Sequence, residues 1–265
     1  MLPSAPPRFL AIESSTDRLS VALGTGSADD PVWSHTGAGG AQASRDLLPA
    51  VQRLLQEAGW ALTDLTAIAF GRGPGAFTGL RTACAVAQGL AYGARDDHRP
   101  HGLPVLPIDT LLALAEAARA AQERAGPLRA VAALDARMDE LYVAAYDHDG
   151  AGWTPVAPAR LCAPDDFGGW LRGATVAADA GTLLAGNAWT AYGARLGTLP
   201  APGVDALPDA AALLRLAPRH WALGEAVPAA AALPLYVRDQ VARTTAEREA
   251  LAALPPQAAA SEAAR

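Results

Sequence analysis

Residues 9–23, FLAIESSTDRLSVAL, lie over residues 131–145, VAALDARMDELYVAA, without a gap at an offset of 122. Glu13 falls on Asp135, Ala11 on Ala133, Asp17 on Asp139, Leu19 on Leu141, Val21 on Val143 and Ala22 on Ala144. Each copy reads as strand, acidic residue, polar turn, strand. Each is followed by a further strand-like piece, PVWSHT (31–36) and GWTPVAPARL (152–161). Similar composition alone could match two hairpins in an Ala-rich chain. The duplication reading constrains the fold far more: two α/β lobes, joined by a hinge near residues 104–128. The acidic residue ending the first strand of each lobe is then expected to face the cleft between them.

The rest of the pattern fits that frame. RFLAIE (8–13), LSVALG (19–24), TAIAF (66–70) and LPVLPI (103–108) are apolar strand runs separated by Gly, Asp and Ser. Between them, Leu47, Leu48, Val51, Leu54, Leu55 and Ala58 recur at helical spacing, with Ser44 as the expected N-cap and Gly59 as the stop. Pro49 is expected to kink the first turns of this helix or to mark a later start. A second helix runs to about Ala94 and a third over 110–124. Strands alternating with helices after a meander imply a mixed sheet covered by helices. The 265 residues suffice for one large or two small cores.

Charge and cysteine usage remove several classes. A net charge of -6 makes stand-alone binding of nucleic acid or anionic lipid unfavourable. Two distant cysteines, Cys84 and Cys162, suggest reduced thiols and a cytoplasmic protein. MLPSAPPRFLAIESS does not read as a signal peptide, and no run approaches the roughly 18 apolar residues of a membrane span.

FGRGPGAFTGLRT, from Phe70 to Thr82, looks at first like a phosphate loop. It lacks the lysine of G-x-x-x-x-G-K-[ST], because Leu80 and Arg81 follow Gly79. It also misses G-x-G-x-x-G, since Thr78 or Ala76 stands where the third glycine should be. Gly73, Gly75, Thr78 and Gly79 remain either an anion-friendly turn at a helix start or a packing turn. The helix that follows is apolar nearly all round, with Gly79, Ala83, Ala87, Leu90 and Ala91 on one stripe. It therefore needs cover on two sides, a sheet on one and another helix on the other.

Candidate chemistry is sparse. Glu13, Asp17, Asp135 and Asp139 could hold Mg²⁺ through water, or could be ordinary turn residues. Arg137 could pair within its turn or meet a phosphate or partner. His35, His98, His101, His148 and His220 form no metal-binding spacing. No G-x-S-x-G elbow occurs, and Cys84 has no basic neighbour to activate it.

LAIESSTDRLSVAL, LLPAVQRLL, AFGRGPGAFTGLRTACAVAQGLAYG, ALDARMDELYVAAY and PLYVRDQVA occur in the order and spacing of the bacterial TsaB (YeaZ) family, which the chain resembles over roughly residues 8–243. The resemblance implies an α/β fold of two RNase H-like lobes, as in actin, sugar kinases and heat-shock ATPases. We expect a disordered start over 1–7, an N-terminal lobe over 8–106, a C-terminal lobe over 107–243 whose end could pack back on the first, and, from its Ala-rich composition with a Pro pair, a frayed and disordered tail over 244–265. It further implies a non-catalytic paralogue of TsaD. Such a subunit pairs with TsaD and the ATPase TsaE to install N6-threonylcarbamoyladenosine beside the tRNA anticodon, touching tRNA only through the complex. The histidine pair that binds metal in TsaD falls on GGAQASRDLLP, which has no histidine. A protease is therefore not expected, and the alternative is a kinase- or hydrolase-like enzyme using ATP in the cleft. The implied partner face is the helix pair 44–58 and 77–93, through Leu47, Leu48, Val51, Leu54, Leu55, Leu80, Ala83, Ala87 and Leu90. No tightly bound cofactor is implied, since ATP, ADP and Mg²⁺ belong to the partner complex. Without TsaD, the same helices could pair a homodimer.

Overall fold

The computed structural model describes residues 6–95, 99–174 and 181–238. In chain order, β1 (Phe9–Glu13), β2 (Arg18–Gly24) and β3 (Trp33–Ala38) form a meander, and α1 (Ala43–Ala58) follows. Next come β4 (Ala67–Gly73), α2 (Phe77–Gly93), β5 (Val105–Asp109) and α3 (Thr110–Ala121). The pattern repeats with β6 (Pro127–Asp135), β7 (Leu141–Asp149), β8 (Trp153–Cys162), α4 (Phe167–Ala174), β9 (Thr182–Gly186), α5 (Ala188–Tyr192), β10 (Gly203–Asp205) and α6 (Ala210–Ala222). The sheets are ordered β3-β2-β1-β4-β5 and β10-β9-β6-β7-β8, the same connectivity twice. In each, a three-stranded antiparallel meander is extended by two parallel strands.

The duplication holds in topology but slips in register. At an offset of 122, β2 and β7 agree: Leu19, Val21 and Leu23 face the outer core of their lobe, as Leu141, Val143 and Ala145 do in theirs. β1 and β6 disagree. Phe9 and Ala11 point into the core between the sheets, whereas Val131 and Ala133 point into the outer core of the second lobe. The hairpins explain it. Glu13 pairs with Ser20 across residues 14–19, but Asp135 pairs with Leu141 across 136–140, a turn one residue shorter. Glu13 therefore matches Leu134, and Asp135 matches Ser14. A one-residue slip exchanges the two faces of a strand, so the two acidic residues are not equivalent.

The cores are layered. α1 and α2 cover the outer face of the first sheet, with Leu47, Val51, Leu54, Ala83 and Ala87 packed on Leu10, Ile12 and Val21. Between the sheets lie α3 and α6, and they are exchanged. α3, from the first half of the chain, packs on β6, β7 and β9, while α6, from the second half, packs on β1, β2 and β4. Asp209 caps α6 by accepting from the Ala212 amide at 2.7 Å. β5 runs to Asp109, past the expected lobe boundary at 106.

Two local expectations change. α1 begins after Gln42 and not at Ser44, because a 3-10 turn over Gly40–Gln42 feeds directly into it. It also continues from Ala43 through Pro49 to Ala58 as one helix. Gly59 closes it in the left-handed region at φ 66°, as expected. The expected tail over 244–265 lies outside the described residues, as do residues 1–5 and His98.

Candidate functional site

The glycine turn is shaped by packing. A Cβ on Gly71 would sit 1.8 Å from Glu13 Oε2, and one on Gly79 would sit 1.8 Å from the Ser14 carbonyl oxygen. One on Gly75 would lie 2.5 Å from Ser15 Cβ. Gly73, at φ +121°, lies against the Leu235 carbonyl. Each of the four glycines lets β4 or α2 approach another segment more closely than any side chain permits. The polar groups are largely spent as well. The Gly73 amide donates to Thr110 Oγ1 at 3.1 Å and the Ala76 amide to the Ser15 carbonyl at 2.6 Å. Ser14 Oγ donates to the Gly79 carbonyl at 2.8 Å. Of the two readings of this turn, the packing one accounts for these contacts: the Gly73 amide is engaged and Gly79 packs against Ser14.

Beside this turn the lobes leave a cleft of about 860 Å³. Its walls are the β1–β2 loop from Ser15 to Arg18, the start of α2 at Phe77, the β6–β7 turn from Leu134 to Arg137, and the final segment from Leu235 to Arg238. Asp135 and Arg137 line it, as the sequence suggested, but Glu13 does not. Glu13 is fully buried on the inner face of the first sheet. Its Oε1 accepts from the Ser15 amide at 2.7 Å, and its Oε2 has no partner among the described residues. Burial pushes its carboxyl above the usual range, against the opposing hydrogen bonds from Ser15. Instead Glu13 lies against Gly71, whose missing side chain makes room for its carboxylate.

Asp135 organises its turn. Oδ1 accepts from the Arg137 amide and from the Tyr192 hydroxyl, both at 2.8 Å, and Oδ2 pairs with Arg137 Nη1 at 3.3 Å. The Asp135 amide donates to Asn187 Oδ1 at 2.8 Å. Burial, with the bond to Asp135, holds the Tyr192 phenol up at about 12. The four carboxylates weighed as Mg²⁺ ligands or ordinary turn residues do not gather: Asp139 reaches outward to Arg195 at 3.0 Å, and Glu13 is enclosed. Among the described residues no three His, Cys, Asp or Glu side chains gather to hold a metal ion.

The turn itself is unusual. Arg137, Met138 and Asp139 have φ of 60°, 57° and 58°, three consecutive non-glycine residues in the left-handed region. Such residues normally occur singly, at about 1–2 kcal/mol each. The Arg137 side chain is 77% exposed. Arg238 reaches over the turn, donating to the Arg137 carbonyl at 3.3 Å and pairing with Glu140. Sequence reading missed Arg238, Tyr192 and Asn187, because single polar residues far apart in the chain carry no local pattern.

The partner face changes most. Leu47, Val51, Leu54, Ala83 and Ala87 are buried within this chain, on the first sheet and beneath the segment Ala229–Ala232, and Leu80 is buried beside Gly73. Leu48 is 44% exposed, while Leu55 and Leu90 are half-buried. The surplus apolar surface of α2 is thus mostly covered by its own protomer. The open face of α2 carries Phe77, Arg81, Ala85, Gly89 and Tyr92. A Cβ on Gly89 or Gly93 would meet nothing within 4 Å. No helix among the described residues is long and apolar enough to cross a membrane.

Residues 38–187 match the family model TsaD: tRNA N6-adenosine threonylcarbamoyltransferase. The chain is 35% identical over 239 residues to the tRNA threonylcarbamoyladenosine biosynthesis protein TsaB of Escherichia coli, covering 89% of this chain and 96% of that protein. It is 31% identical to the TsaB protein of Haemophilus influenzae, over 88% of this chain and 94% of the relative. Among solved structures, YeaZ from Pseudomonas aeruginosa is similar at a TM-score of 0.73 and 38% identity, covering 87% of this chain and 99% of that one.

Proposed function

The chain belongs to the TsaB family, and from that footing we propose that it serves tRNA threonylcarbamoyladenosine biosynthesis as a non-catalytic subunit. In this reading it pairs with a TsaD-like paralogue, works with a TsaE-like ATPase in the cytoplasm, and meets tRNA through the assembly. ATP, ADP and Mg²⁺ are held by the partners. The engagement of both Asp135 oxygens within their own turn, and the enclosure of Glu13, support a supporting role over a catalytic one.

The observation that carries the reading is on α2. Gly71, Gly75 and Gly79 are required by their surroundings, but Gly89 and Gly93 are not. A glycine inside a helix costs about 1 kcal/mol relative to alanine, and nothing among the described residues repays it at Gly89. A second helix lying close over Ala85 and Gly89 would. The docking face is therefore assigned to Phe77, Arg81, Ala85, Gly89 and Tyr92, with Leu48, Leu55 and Leu90 at its margins. The buried Ala83 and Ala87 are excluded, because charge there would break the lobe itself. The test is co-expression of Gly89→Arg with the cognate TsaD-like protein. Loss of co-purification, with thermal unfolding of the isolated chain no lower than in the parent, is expected. A complex that survives the substitution refutes the assignment.

A further inference from the structure

The end of the described chain crosses the cleft mouth and is tied down on both sides. On the N-terminal lobe, Ala229 and Ala232 are buried in the outer core, and the Ala232 carbonyl accepts from Gln88 Nε2 at 2.9 Å and Cys84 Sγ at 3.2 Å. The Leu235 amide then donates to the Arg72 carbonyl at 2.6 Å. Tyr236 stacks on Phe77 with ring centroids 5.2 Å apart, and its hydroxyl accepts from Arg81 Nε at 3.1 Å. Two residues later the contacts change lobe. Arg238 pairs with Glu140, donates to the Arg137 carbonyl at 3.3 Å and lies 3.6 Å from Met138 Sδ.

The two ends differ in kind. Ala229 and Ala232 are core residues, whereas at the far end Val237 is only half-buried against the core between the sheets and Arg238 holds an exposed turn. Met138 there is 74% exposed. That turn is the left-handed run Arg137–Asp139, a backbone that persists only where its surroundings hold it. An anchored root, a short span and a single polar catch over a strained receiver are the parts of a releasable fastening. Local opening free energies are lowest where apolar contacts are few; Ala229 and Ala232 are fully in the core, whereas Tyr236 is 42% exposed and Val237 only half-buried.

We infer that residues Leu233–Arg238 form a latch across the cleft mouth, holding the Arg137–Asp139 turn in its left-handed form and transmitting the state of the α2 start to that turn. Engaged, it closes one side of the cleft. Released, it frees the turn and opens that side, while Ala229 and Ala232 stay seated. The latch shares Phe77 and Arg81 with the docking face proposed above, but each of its contacts lies within one protomer, so exchange in the isolated chain reads it apart from the subunit role.

Hydrogen–deuterium exchange of the full chain tests it. The turn has protected amides at Ala136, Arg137 and Glu140, bonded to the Glu140 carbonyl, Asp135 Oδ1 and the Arg137 carbonyl. In Arg238→Ala, peptides spanning Ala136–Glu140 should exchange about tenfold faster, with β1 and β6 unchanged. Tyr236→Ala, which removes contacts only at the α2 end, should accelerate the same peptides, and Arg238→Lys should restore part of the protection. Cys84, roofed by Ala232, should remain as unreactive to a thiol reagent as in the parent chain. Turn exchange unchanged in Arg238→Ala overturns the latch. So does acceleration in Arg238→Ala but not in Tyr236→Ala, which reduces Arg238 to a local pair, and so does uniform acceleration that includes β1 and β6.

Discussion

Removing the Glu116 carboxylate, by Glu116→Ala, should loosen the joint between the lobes. Glu116 lies on α3, 3% exposed, and its two oxygens collect four hydrogen bonds. Arg119 donates twice, at 2.8 and 2.9 Å; Arg215 on α6 donates at 2.7 Å; the Trp153 indole on β8 donates at 3.0 Å. One carboxylate thus pins both exchanged helices and an edge strand. Losing one partner of a buried ion pair costs about 3–5 kcal/mol. Here the guanidiniums are 22% and 34% exposed, so water reclaims part of their charge and the lower end applies. The unpaired indole adds to it, which leaves an expected loss of about 3 kcal/mol from a total of about 5–15. For a chain of this size that is roughly 6–12 °C in Tm. Urea unfolding should show a lower midpoint with an unchanged slope. The pH dependence has a definite sign. Burial alone would raise the Glu116 pKa, but bonds from Arg119, Arg215 and Trp153 outweigh it and hold the group below the usual range. Its stabilisation is complete above the unfolded-state value of 4.5 and fades as pH falls through the lower folded value. The gap between parent and variant should therefore narrow on acidification below about pH 4.5. A loss under about 1 kcal/mol at neutral pH, or a gap that widens with acid, refutes the reasoning.

Three smaller changes are also diagnostic. Gly79→Ala places a methyl 1.8 Å from the Ser14 backbone and should cost several kcal/mol, or prevent folding, by circular dichroism. Gly89→Ala meets open space and should stabilise the isolated chain by about 0.5–1 kcal/mol in the same assay. Asp209→Ala removes the α6 cap bond and should cost about 1 kcal/mol by urea unfolding, while Asp209→Asn should cost less.

The duplication and the alternating elements were legible because hydrophobic period and turn residues are local signals, and both sheets followed from them. The strand register was not. In an Ala-rich chain, a turn shorter by one residue leaves composition and spacing nearly unchanged, yet it puts Glu13 and Asp135 on opposite faces of their strands. The all-round apolar character of α2 correctly demanded cover on two sides, but sequence could not say from which chain. Ala229 and Ala232, small residues nearly 150 positions from Cys84, supply much of it through one carbonyl. The four packing glycines were visible as a cluster, whereas their purpose depended on Ser14, Ser15, Glu13 and Leu235 arriving from elsewhere.

The exchange of α3 and α6 between lobes has a consequence for synthesis. When β5 has left the ribosome at Asp109, all five strands of the first sheet exist, but the helix that seals their inner face starts at Ala210. At about 5–20 residues per second, roughly 100 further residues take about 5–20 seconds. For that interval Phe9, Ala11 and Ala69 have no permanent neighbour on one side. The nascent chain is a sticky half-sandwich until α6 arrives, so a fragment ending after β5 should aggregate, and chaperones that bind apolar nascent segments have a defined window in which to act.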